Sequence, residues 1–244
     1  MYKRLGILLL LGLLCLAVLG CHRDAAPENT EGETTTAPAD EPLPSDTETT
    51  PPAAETDVLS PLAVPDYLTP REDFSWEREV PPEYIMLHFT SNVVADRENP
   101  YDLDAVRSIF IENGVSIHYL IDRDGTIYGY VPENRVAWHA GKGSYADDDR
   151  LTDNMNHYAI GIELMAMGSQ EDMAKYLAAE EYDGLDRSLI GYTEAQYAAL
   201  KVLLPDICAR YGIPYDRAHI IGHEDYRPSK SDPGELFDWE RVVG

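Results

Sequence analysis

The sequence predicts an α/β fold: a single domain over 58–244, with a mixed central β-sheet flanked by helices. Three observations carry this expectation. Short apolar runs of strand length alternate with segments whose apolar residues recur at helical spacing. An Asp-Gly pair joins two extended runs as a hairpin, and a shift of composition near residue 57 divides this part from what precedes it.

The elements follow in order. "PEYIMLHFT" (82–90), rich in large and β-branched residues between prolines and a polar stretch, reads as a strand ending near His88. "DLDAVRSIFIENG" (102–114) reads as a helix capped by aspartate and stopped by Gly114. "VSIHYLIDRDGTIYGYV" (115–131) reads as a hairpin about Asp124-Gly125, and "HYAIGIELMA" (157–166) as another strand. "TEAQYAALKVLLPDICARYG" (193–212) reads as a helix, with Thr193 and Gln196 in capping-box relation and Pro205 expected to bend it. "AHIIGH" (218–223) is the last strand and leads into a proline-stiffened loop. No internal repeat is visible.

Residues 1–20 have the layout of a secretory signal: Lys3 and Arg4, an apolar run, then a small residue before Cys21. The alternative is a membrane-spanning helix left in place, which the acidic spacer that follows disfavours. "VLGC" resembles the lipobox of bacterial lipoproteins, which implies a diacylated Cys21 holding the chain to a membrane by a lipid anchor. Each buried methylene contributes roughly 0.8 kcal/mol, so two chains suffice where one is marginal. Residues 21–57 read as the acylated cysteine and a disordered acidic Pro/Thr-rich tether, with ten acidic residues against one arginine. The expected location is therefore extracytoplasmic, at the cell surface or in a periplasm. Loss of Cys15 and acylation of Cys21 would leave Cys208 alone, so no internal disulfide is expected, and Cys208 reads as a small buried hydrophobe.

The chain carries a net charge of −25, and 58–244 alone has 34 acidic against 16 basic residues. Such a surface repels phosphate backbones, which excludes nucleic acid as a partner, and it keeps the protein dispersed; a monomer is expected.

Strand parity sorts the histidines. On a strand, His219 and His223 share a face but lie about 13 Å apart, too far for one zinc ion, so at most one is a ligand. "GHEDYR" lacks the second histidine of an HExxH helix. His223 opens the loop, Asp232 lies within it, and His88 ends a different strand. Two histidines and a carboxylate would leave the fourth zinc position free, as a catalytic site requires. The plainer alternative for each histidine is a hydrogen-bonded structural role.

"YIMLHFT", "VSIHYLIDRDGTIYGYVPENRVAWHAG", "NHYAIGIEL" and "GHEDYRPSKSDPGELFDW" resemble, in order over about 80–240, the successive blocks of the zinc-dependent N-acetylmuramoyl-L-alanine amidases. The family includes bacteriophage lysozyme-amidases and peptidoglycan recognition proteins. The resemblance implies that His88, His223 and Asp232 bind zinc, that Lys230 faces the developing oxyanion, and that Glu163 acts on the attacking water. It implies peptidoglycan or its muropeptides as partner, and hydrolysis of the amide between N-acetylmuramic acid and L-alanine. His139, Trp138 and His118 are expected along the substrate cleft, while His157 and His219 read as structural. The alternatives are a domain that only binds peptidoglycan and a metallopeptidase cutting within a peptide.

The loop departs from the common P-x-R-K-x-D pattern: "RPSKSD" is one residue shorter and lacks the arginine. Glu163 shares a strand face with Gly161 and Ala159, which predicts open room for water or substrate beside its carboxylate. Residues 169–191 form a longer connection than compact relatives have, expected to be either a lid or specificity element over the cleft, or a surface ornament.

Overall fold

The computed structural model describes residues 56–244. The signal at 1–20, Cys21 and nearly all of the tether lie outside the described residues. Among the described residues no helix is long and apolar enough to cross a membrane.

The strands, in chain order, are β1 (Val64–Pro65), β2 (Ser75–Glu77), β3 (Tyr84–Thr90), β4 (Tyr119–Ile121), β5 (Ile127–Gly129), β6 (Arg135–Ala137), β7 (Ala159–Met165) and β8 (Ile220–Gly222). The α-helices are α1 (Arg71–Phe74), α2 (Leu103–Asn113), α3 (Met155–Tyr158), α4 (Gln170–Met173), α5 (Ala179–Asp183), α6 (Glu194–Tyr211), α7 (His223–Tyr226) and α8 (Glu240–Val243). The main sheet has the order β1-β5-β4-β7-β3-β8 and is mixed: β4, β7, β3 and β8 run parallel, and β5 turns back antiparallel to β4. β2 and β6 form a separate antiparallel pair.

Alternation along the strands divides the core. Ile85 and Leu87 of β3, with Ile160, Ile162 and Leu164 of β7, pack against Leu200, Leu203, Leu204 and Ile207 of α6. Tyr84 and Met86 point to the other face, where Met155 and Tyr226 meet them, while α2 covers that face further along through Val106 and Phe110. His88 continues the second series, so it emerges on the face that α6 leaves uncovered.

Local chemistry sets the boundaries. The Asp102 carboxylate accepts from Ala105 N–H and starts α2; Thr193 and Gln196 close the predicted capping box of α6. Pro205 lies inside α6, which continues through it to Tyr211. β8 is shorter than the sequence suggests: Asp225 Oδ2 accepts the Gly222 N–H at 2.6 Å, so His223 opens α7 instead of ending the strand.

A partly buried ion pair ties β4 to the end of α6. Glu133, fully enclosed, accepts from Arg210 Nη2 (2.7 Å) and from the hydroxyls of Tyr119 and Tyr211 (2.9 Å for Tyr211). The Tyr119 hydroxyl in turn accepts the Ser60 N–H, which ties residues 58–60 to the end of α6.

Candidate metal centre and its surroundings

Three side chains from separated elements converge. Nδ1 of His88 in β3 lies 3.1 Å from Nδ1 of His223 at the start of α7. Oδ2 of Asp232 lies 2.8 Å from the first and 3.0 Å from the second. Three vertices of a tetrahedron around zinc stand about 3.3 Å apart, so this triangle is a few tenths of an ångström tight for such an ion.

The orientation of the two rings suits a cation as well. His223 Nε2 lies 2.9 Å from the Ala140 carbonyl and must donate to it, so its Nδ1 is the nitrogen turned toward the cluster. His88 Nε2 lies 3.1 Å from His139 Nδ1, so the Nδ1 of His88 also faces the cluster. Burial lowers His88 to about 4, against the pull of Asp232, so it is neutral at pH 7. Burial pushes Asp232 up, but the neighbouring His223 and His88 outweigh this and hold its carboxyl well below the usual range. Two imidazole nitrogens and a carboxylate oxygen facing one another form a donor set that suits zinc.

Residues 139 and 140 thus orient both histidines, one by its ring and the next by its carbonyl. Asn156 holds that segment, its Oδ1 accepting from the N–H groups of His139 (3.1 Å) and Ala140 (2.8 Å). Sequence reasoning found the "AWHAG" block but not this task, because neither Asn156 nor a main-chain carbonyl leaves a pattern that points across 80 residues of chain.

Glu163 sits directly opposite His88 in the β3–β7 ladder and emerges on the same face. Its Oε2 is buried without a protein partner. Burial, then the charge of Asp232, push its carboxyl well above the ordinary value, while Lys230 pulls the other way. Lys230 is half-buried, close enough for its charge to act on both Glu163 and His88.

The space over Gly161, expected to be open, is filled. A Cβ at Gly161 would lie 2.6 Å from Ile117 Cδ1 and 2.7 Å from His139 Cγ, so the small residue makes way for protein. Glycine at 161 lets the His139 ring reach His88.

The expected cleft residues separate. Trp138 is exposed, its ring 4.1 Å from that of Trp76, and with Asp153, Asn154, Asn156 and His157 the pair lines a cleft of about 380 Å³. His139 faces His88. His118 is wholly enclosed: its Nδ1 accepts the Gly161 N–H at 3.0 Å and its Nε2–H donates to the Arg135 carbonyl at 3.1 Å, so neither nitrogen is available to a ligand. Beside it the buried Arg78 guanidinium, lowered by burial to about 10, donates to the carbonyls of Glu133, His157 and Ala159. His219 bonds Asp216 at the surface. Tyr176, in the 169–191 connection, escaped the sequence reading: burial and the charges of Asp232 and Glu163 raise its phenol.

A mixed α/β fold with two histidines and one carboxylate clustered above its central parallel strands defines the class. The chain belongs to the N-acetylmuramoyl-L-alanine amidase family, whose model matches residues 78–235. It is 38% identical over 128 residues to the 1,6-anhydro-N-acetylmuramyl-L-alanine amidase AmpD of Citrobacter freundii, covering 52% of this chain and 54% of that protein. It is 32% identical over 168 residues to the N-acetylmuramoyl-L-alanine amidase AmiD of Escherichia coli K12, covering 65% and 51%. The crystal structure of an AmpD selenomethionine derivative superposes with a TM-score of 0.52 at 28% identity, covering 75% of this chain and 96% of the other. The chain spans about half the length of the curated relatives it matches.

Proposed function

We propose that this protein hydrolyses the amide between N-acetylmuramic acid and L-alanine in peptidoglycan or its fragments, with zinc held by His88, His223 and Asp232. The observation that carries this reading is the convergence of three metal-ligating side chains beside an unpartnered buried carboxylate oxygen. Family membership and the amidases AmpD and AmiD among its relatives supply the bond.

Bound zinc supplies Lewis-acid polarisation of a carbonyl and lowers the pKa of a water. Glu163 Oε2 takes a proton from the attacking water and passes it to the leaving amine nitrogen. Lys230 places a fixed positive charge where the carbonyl oxygen becomes anionic. His139 and the Ala140 carbonyl keep both imidazoles turned with Nδ1 inward. The Trp76–Trp138 cleft borders the site on the side of His139 and offers aromatic and amide surface to the substrate.

The test is product identification by mass spectrometry after incubation with defined muropeptides, anhydro forms included, before and after chelation and zinc restoration. Release of the stem peptide with an intact L-alanine amino terminus is expected, lost on chelation and regained with zinc. Cleavage within the peptide, or binding without cleavage, would replace this reading.

We further propose that the chain is exported and anchored through Cys21, on the strength of "VLGC" and the tether that follows. Metabolic labelling with palmitate that disappears in Cys21→Ala is the expected result.

A further inference from the structure

The 169–191 connection has its own apolar footing. Met173, Leu177, Tyr182 and Leu185 are buried with Val93, just beyond β3, and Met167, just beyond β7. Its far end is tied to the main chain by Arg123, which donates to the carbonyls of Ser188 (3.0 Å) and Gly191 (2.5 Å), and by the Tyr101 hydroxyl on the Leu189 carbonyl (2.5 Å). A segment fixed at both ends with a buried cluster of its own behaves as framework, not as a flap.

Its first turn grips the loop that carries Lys230 and Asp232. Lys175 Nζ donates to the Ser229 carbonyl, the Ser231 hydroxyl donates to the Asp172 carbonyl at 3.2 Å, and the Glu235 N–H donates to Asp172 Oδ2 at 3.3 Å. The same Oδ2 accepts the Ser169 N–H at 2.9 Å and closes the capping box of α4, so loop and helix share one carboxylate. Gly234, at φ +78°, permits this approach, since a Cβ there would lie 2.6 Å from Asp172 Oδ2. The contacts fall on 229, 231 and 235, on either side of the two functional positions, and leave 230 and 232 to the site.

The loop needs such support. Its own main-chain bonds, Lys230 N–H to Arg227 O (2.8 Å) and Glu224 N–H to Asp232 O (3.1 Å), fix its course but do not fix the Asp232 side chain's distance from the two imidazoles. A metal centre tolerates ligand displacements of only about 0.2 Å.

We propose that residues 169–175 form a brace that sets the position of the third metal ligand, with Asp172 and Lys175 as positioning residues. The proposal rests on His88, His223 and Asp232 being the metal centre. The brace acts from outside the site, through the backbone on either side of Asp232.

The experiment measures Zn²⁺ affinity of the full-length chain by competition with a fluorescent chelator, alongside the thermal midpoint of the metal-free protein. Lys175→Met/Ser231→Ala is expected to weaken zinc binding about tenfold, as loss of outer contacts to metal ligands does elsewhere. The metal-free midpoint should stay at the wild-type value, and Lys175→Arg alone should bind zinc as tightly as wild type. Lys175→Met by itself, at an exposed position, reads the same effect if the double variant does not fold. Unchanged affinity overturns the brace, and so does a loss matched by a fall in the metal-free midpoint. Because zinc is read without substrate, absence of hydrolysis by the wild type would remove the amidase reading and leave this result standing.

Discussion

His88 Nε2 lies 3.1 Å from Nδ1 of His139, so a histidine outside the His88–His223–Asp232 triangle helps set which nitrogen of His88 faces into it. His139→Phe keeps an aromatic ring and removes the nitrogen partner. Zinc affinity is expected to fall about 10- to 100-fold by chelator competition, with far-ultraviolet dichroism unchanged.

Gly161→Ala tests the same relationship from beneath. The added methyl would meet Ile117 and His139 at under 3 Å, so one of them must move. A loss of about 1–3 kcal/mol in urea unfolding, together with weaker zinc binding, is expected.

Glu163→Gln preserves shape and removes the proton acceptor. Turnover is expected to drop about 10²- to 10⁴-fold while zinc content by atomic absorption equals that of wild type. Wild-type turnover in this variant would assign the base to another group.

Arg210→Met strands the Glu133 carboxylate in a place with no access to water. Removing one partner of a buried pair leaves a charge that must be neutralised or exposed, and a destabilisation of about 3 kcal/mol in denaturant titration is expected. The metal centre lies elsewhere, so the folded variant should bind zinc normally.

Cys208 is buried in α6, and burial pushes its thiol up to about 11. Because the thiolate is the reactive form, little of it exists at pH 8. Peptide mapping after alkylation is expected to show Cys208 unmodified in the native protein and fully modified in urea.

The strands and long helices were legible because their periodicities are strong. β3, β7, α2 and α6 each fall within two residues of the sequence reading at most ends, and the hairpin turns where Asp124-Gly125 places it. The three clustered donors were legible through strand parity and resemblance together. What escaped was contact between segments without a shared pattern. The helical start at His223 depends on Asp225 bonding back to Gly222, a choice between two short-range options that composition does not decide. The filling of the space over Gly161 by His139 and Ile117 depends on where two other segments pass. Small residues beside a carboxylate mean proximity of something, and only the fold says whether that is solvent or another side chain.

His88 and Asp232 stand 144 positions apart, and His223 lies 135 beyond His88. No early portion of the polypeptide can therefore assemble this triangle on its own: the last parallel strand must already have docked beside β3. Under the proposed reading, acquisition of metal would report that folding has finished, and a molecule clipped or stalled before that event would lack a complete centre.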